Sequence, residues 1–113
     1  MATGAAARKH ALSFPETEER ETWGHPTFRV KDKMFMGMDA EGTQVTVKAS
    51  KEEQAALVGS DPKTFGVADY VGRYGWVTVQ LKRVKADELR ELIEESWRAI
   101  APKRLVKAYD ETA

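Results

Sequence analysis

The sequence predicts an α+β domain with helices packed on one face of an antiparallel sheet, and three patterns predict it. Trp76-Val77-Thr78-Val79-Gln80-Leu81 alternates strictly, with Val77, Val79 and Leu81 on one side and Trp76, Thr78 and Gln80 on the other. That is the period of a half-buried strand, made of the branched and aromatic residues that fit a pleated surface. Leu89, Leu92, Ile93, Ser96, Trp97 and Ile100 recur at helical spacing and make one apolar stripe, which must cover whichever face the valines form. Between residues 27 and 49 three short apolar runs are separated by turn residues, as in an antiparallel meander. Counting consecutive strands with numerals, the order is α-β3-α-β2-α.

Each element has a local reason. Residues 3–14 read as a helix because Ala5-Ala6-Ala7 are strong formers and Ala7, Ala11 and Phe14 share a face. Thr3 is placed to cap it, and Pro15 ends it because the residue before a proline avoids the α region. Glu16, Glu18, Glu19 and Glu21 then form an acidic connector, read as a solvated loop or an edge strand. Trp23-Gly24-His25-Pro26 is a turn cluster before the strand Thr27-Phe28-Arg29-Val30-Lys31, with Phe28 and Val30 inward. Asp32-Lys33 turns the chain into Met34-Phe35-Met36-Gly37-Met38, apolar on both sides and so an interior strand. Asp39-Ala40-Glu41-Gly42 is a hairpin turn, and residues 43–49 follow with Val45, Val47 and Ala49 on one face.

Ser50 begins a short helix as its cap, with Glu53 in capping-box position, and Gly59 is expected to close it. Residues 61–66 are an irregular connector in which Phe65 or Val67 can join a further strand. Gly72 and Gly75 let the chain turn sharply around Arg73-Tyr74 before the opening strand. The last long helix carries Asp87 and Glu88 in its first turn, where the macrodipole favours anions. Pro102 is expected to begin or kink one last helical turn, with Leu105, Val106 and Tyr109 able to pack.

At 113 residues the chain fits one domain, residues 1–113, with enough length for one core. Its 42% hydrophobic and 32% charged residues are those of an ordinary globular domain. Eighteen basic residues balance eighteen acidic ones, so no net field attracts nucleic acid or an anionic membrane. The absence of cysteine excludes a disulfide framework, a thiol nucleophile and cysteine-ligated metal. No run is long and apolar enough to span a membrane, and no apolar signal core precedes Arg8-Lys9. A cytoplasmic location is expected.

Several stretches together resemble a family. Trp23-Gly24-His25-Pro26-Thr27-Phe28-Arg29, Lys33-Met34-Phe35, the run from Gly72-Arg73-Tyr74-Gly75-Trp76 to Leu81, the helix from Leu89 to Trp97, and Ala101-Pro102-Lys103-Arg104-Leu105 look like the MmcQ/YjbR family of small bacterial proteins. The resemblance covers residues 11–105, and its most specific part is a Gly or Asn, a base, two residues, then Trp and a strand. It implies a secretion-chaperone-like α-β3-α-β2-α fold, DNA binding through a double-wing arrangement, and no family catalytic residues. Relatives often carry Asp where Lys85 stands, and losing that cap costs about 0.5–2 kcal/mol.

Charge placement is the feature that favours nucleic acid. Residues 72–85 hold Arg73, Lys82, Arg83 and Lys85 with no acid, whereas residues 86–101 hold five acids against Arg90 and Arg98. The outward sheet face is expected to carry Arg29, Lys31, Lys48, Trp76, Thr78, Gln80 and Lys82, which suits phosphate contact with some base stacking. Any wet sheet face also carries lysine and threonine. Arg29, Lys31, Lys48, Lys82 and Arg83 are therefore the candidate phosphate ligands for double-stranded DNA. Arg73, Tyr74 and Trp76 are either a recognition tip or a structural anchor for the strand. The alternative use of the uncovered face is to bind a protein, a peptide or a second copy of the chain.

No enzyme, cofactor or metal site is expected. His25 is a lone turn histidine without a partner at ligand spacing, and His10 lies on another element. The glutamates between residues 16 and 21 lack calcium-loop spacing, no serine sits in a nucleophile elbow, and the glycines form no phosphate loop. Met34, Met36 and Met38 read as sheet packing.

Overall fold

The computed structural model describes residues 2–112. Its elements are α1 (Gly4–Leu12), β1 (Thr17–Thr22), β2 (His25–Val30), β3 (Lys33–Met38), β4 (Gln44–Val47), α2 (Lys51–Ser60), β5 (Phe65–Val67), a 3-10 turn (Gly72–Tyr74), β6 (Val77–Gln80), α3 (Ala86–Ile100) and α4 (Lys103–Thr112). The strands form one sheet in the order β1-β2-β3-β4-β6-β5, every neighbour antiparallel. The α+β class is as expected, with one more strand and a longer last helix.

The extra strand is the acidic run. Thr17 to Thr22 pairs along its length with Val30 to His25, so the connector is an edge strand and the meander has four strands. Its charge is partly neutralised, since Arg20 reaches Glu18 and Asp32 and Arg8 reaches Glu19. A charged edge also discourages pairing with another chain. The turns are tighter than expected. Trp23-Gly24 alone joins β1 to β2, and Lys31-Asp32, rather than Asp32-Lys33, joins β2 to β3. All four of these residues have positive φ, as two-residue type I′ hairpin loops require.

Paired residues of antiparallel strands point to the same face, so the register assigns the core. Phe28, Met36, Val47 and Val77 form one row and Met38, Val45, Val79 and Phe65 another. All are buried beneath Leu89, Leu92, Ile93 and Trp97 of α3. A bulge between β2 and β3 lets Phe35 and Met36 both face this core, which explains an apolar run that does not alternate. Ser96 in the apolar stripe of α3 serves the same irregularity. Its buried hydroxyl donates to Phe35 O and accepts from Lys48 N at 2.8 Å, where the β3–β4 ladder has ended.

The caps of the first three helices follow the sequence, present at α1 and α2 and missing at α3. Thr3 Oγ1 accepts from Ala6 N at 3.1 Å, and Ser50 Oγ accepts from Glu53 N at 3.0 Å. Lys85 gives α3 no side-chain cap. Gly59 does not close α2, which continues to Ser60 with the Asp61 N–H bonded to Leu57 O. Beyond Pro102 the chain makes a full ten-residue helix rather than one turn. Its Tyr109 packs on Trp97 at 5.3 Å between ring centroids, and Phe14, just past the end of α1, stacks on the same indole at 5.2 Å. Asp110 and Glu94 clamp Arg98, tying α4 to α3.

Candidate functional site

The helices leave the other face of the sheet open. A row of small residues crosses it, Thr27, Gly37, Thr46, Thr78 and Gly66, on five successive strands. Gln44 and Gln80 pair beside it, their amides bonded at 2.9 Å, and Met34 lies opposite Arg29. Above this floor is a cleft of about 510 Å³, within the usual range for ligand pockets. One wall is the β1–β2 hairpin tip, Trp23-Gly24-His25; the other is the loop after β5, with Ala68, Asp69 and Val71.

Two aromatic side chains stand out here, Trp23 in the first wall and Tyr70 in the loop that supplies the second. Trp23 is 94% exposed and Tyr70, between Asp69 and Val71, is 97% exposed. Both have left-handed backbones, at φ +55° and +64°. Asn-Gly would suit the Trp23-Gly24 turn better, because a bulky side chain in the left-handed region costs about 1–2 kcal/mol. Tyr70 occupies a three-residue turn closed by Val71 N donating to Asp69 O at 2.6 Å. Neither ring repays its backbone by packing in the core. Strain of this kind concentrates at sites of function.

At the rim, Asp39 is committed to its own hairpin. Burial alone would raise its pKa, but the Thr43 hydroxyl and the Gln44 and Thr43 amides outweigh burial and hold it below the usual aspartate value. The stabilisation it carries is full above the unfolded pKa, roughly 3.9, and is lost as pH falls through the lower folded value. In urea titrations at different pH, Asp39→Asn is expected to flatten the loss of stability below about pH 4. Among the described residues no three metal-ligating side chains gather together.

The expected basic face does not form. Arg29 does reach the open face, but its guanidinium is spent on Thr27 Oγ1, Thr22 Oγ1 and Asp32 O at 3.1–3.3 Å. Lys31 lies in the turn, paired with Glu16. Lys48 Nζ donates to Ala49 O and to Tyr74 O at 2.9 and 2.7 Å. Trp76 is only 8% exposed, so it cannot stand at a tip. Arg29 and Lys48 share a physical reason: long side chains near tight turns satisfy the carbonyls and hydroxyls those turns leave free. Gln54 strengthens the same region, its Nε2 donating to Gly72 O and Trp76 O at 2.7 and 2.8 Å.

Four of the candidates are exposed and, unlike the exposed Lys31, join no ion pair among the described residues. Arg73 lies 4.9 Å over the ring of Tyr74, which is 55% exposed. Lys82 and Arg83 are exposed past the end of β6, where with Lys63, Thr43 and Gln80 they line a second cleft. Sequence reasoning missed Trp23, Asp69 and Tyr70. The available signal was a tryptophan before glycine in a two-residue turn, where asparagine is the favoured residue.

The architecture defines an α+β domain with helices gathered on one face of a six-stranded antiparallel sheet. The family model described as YjbR matches residues 12–99, and the chain belongs to the YjbR family. Uncharacterised proteins of Mycobacterium tuberculosis and Mycobacterium bovis are 35% identical to it over 69 residues, 60% of this chain and 54% of theirs. The chain thus matches about half the length of these relatives. The crystal structure of a DUF419 domain protein, DR2400 of Deinococcus radiodurans, superposes with a TM-score of 0.82 at 23% identity, covering 91% of this chain and 81% of that one. The likeness concerns the fold. No helix among the described residues is long and apolar enough to cross a membrane.

Proposed function

We propose that this YjbR-family domain acts by binding rather than by catalysis, and that its open sheet face receives an extended segment of a partner protein. The observation that carries the reading is Trp23, strained and displayed to solvent in one wall of the open-face cleft, with a second strained and exposed aromatic, Tyr70, in the loop whose Asp69 and Val71 form the other wall. Exposed aromatic anchors are what protein interfaces use. The test is selection from displayed random peptides on the wild-type domain and on the Trp23→Asn/Tyr70→Asn double variant. Peptides enriched on the wild type are expected to be lost from the double variant. Equal retention on both proteins would reject the face.

Double-stranded DNA is the second reading, favoured by the exposed Lys63, Lys82 and Arg83 at the end of β6 and by Arg73 over Tyr74. In this reading Lys82 and Arg83 take phosphates and Arg73 with Tyr74 forms the tip. Arg29, Lys31, Lys48 and Trp76 would first have to leave their present contacts or burial. Fluorescence anisotropy of a labelled duplex across a salt series tests it. Micromolar affinity that falls steeply with salt, and a slope flattened by Arg73→Ala and Lys82→Ala, would favour DNA. No binding at low salt would reject it.

A further inference from the structure

We propose that the open-face cleft recognises a cationic side chain, an arginine or lysine carried by an extended peptide, against the Trp23 wall and facing Asp69. The inference rests on the binding reading above and supplies the chemistry of the occupant.

Charge is the first support. The titratable groups lining the cleft are Asp39, Asp69 and His25, and no lysine or arginine lines it. Asp69 is exposed, and among the described residues its carboxylate joins none of the ion pairs. A phosphate or carboxylate entering here meets repulsion, whereas a guanidinium meets a free carboxylate it can engage at two oxygens. Trp23 acts in the same direction, since the face of a tryptophan attracts cations and repels anions. Arg73 over Tyr74 is a nearby internal example of that contact.

Shape is the second support, and it selects a peptide over a small free cation. The floor runs over β3, β4 and β6, roughly 10 Å across at ordinary strand spacing, and is open above. A cleft of that form suits a chain laid along it better than a molecule to be enclosed. Gly37 lies in the floor, and a Cβ there would meet only Met34 Sδ, at 3.8 Å. Neither crowding nor a left-handed backbone demands glycine at that position. A glycine inside a strand weakens it and often marks the close approach of another backbone. Thr46 and Thr78, directly opposite one another on β4 and β6, offer hydroxyls to that backbone.

The test uses nine-residue synthetic peptides, identical except for a central arginine, citrulline or glutamate, titrated into the domain with amide chemical shifts as readout. Citrulline keeps the shape of arginine without its charge. The arginine peptide is expected to bind about fivefold more tightly than the citrulline one, as a single exposed ion pair with an aromatic contact allows. Asp69→Asn is expected to erase that difference while leaving citrulline binding unchanged. Trp23→Asn is expected to weaken the arginine peptide and yet raise the melting temperature by roughly 2–5 °C, because asparagine suits the turn. Equal affinity for all three peptides, with shifts on Thr46 and Thr78, would overturn the cation inference and leave the peptide-binding reading intact. No shift at the open face with any peptide would overturn both.

Discussion

Gly75→Ala is expected to lower the unfolding free energy by about 2–5 kcal/mol, the sum of a left-handed backbone and an overpacked contact. Gly75 has φ +99°, and a Cβ added there would stand 2.1 Å from Ala49 O. That obstacle is backbone, not the end of a flexible side chain. Nor can it move aside cheaply, because Ala49 N donates to Gly75 O at 3.2 Å and Ser50, the next residue, caps α2. The substitution therefore strains the join between β4, α2 and β6 at once. Gly59 is the control: it lies inside α2, and a Cβ there would touch nothing within 4 Å. Gly59→Ala should stabilise by up to about 1 kcal/mol. Urea unfolding of both variants checks the pair. A loss below about 1 kcal/mol for Gly75→Ala would contradict the packing described here.

Ser96→Ala is expected to cost roughly 2–4 kcal/mol, although it removes a single oxygen. The Ser96 hydroxyl is fully buried and is the shared partner of Phe35 O and Lys48 N. Alanine would leave a carbonyl and an amide unsatisfied in the core, at about 1–3 kcal/mol each with partial relaxation. Ser96→Thr keeps the hydroxyl and should recover most of the loss if the extra methyl is tolerated. Amide hydrogen exchange at Lys48 provides a local readout and should accelerate in Ser96→Ala alone. An unchanged exchange rate there would show that the bulge does not need the bridge.

The fold was legible where one period dominated. Val77, Val79 and Leu81 are buried as their alternation requires, and the stripe from Leu89 to Trp97 is the face of α3 that meets the sheet. Thr3 and Ser50 cap the helices that begin beside them. What could not be read were features set by pairing. Glu18 to Glu21 carry no strand signal of their own, so the sequence admits either a loop or an edge strand, and they become β1 because β2 offers them an edge. The Phe35 bulge is invisible to alternation, since both Phe35 and Met36 look like interior residues in any register.

The candidate site was less legible, for a related reason. Sequence spacing puts Arg29 and Lys48 on the wet face, and the backbone does so too, but their charged heads are drawn to carbonyls and hydroxyls of neighbouring turns. Lys31 and Lys82 leave the sheet altogether because the strands end before them. Trp76 is buried, as its reading as a structural anchor requires and its placement on the wet face does not, and its carbonyl is held by Gln54. Conversely, Trp23 and Asp69 come to line one cleft from distant parts of the chain, a juxtaposition that the strand order creates.

The most direct test of the central claim is to map a peptide selected on the wild-type domain by its amide chemical-shift changes. Binding at the open face predicts shifts concentrated on Gly37, Thr46, Thr78 and the turns holding Trp23 and Tyr70, with Lys82 and Arg83 unmoved. Shifts confined to Lys63, Lys82, Arg83 and Arg73, with the open face silent, would contradict it.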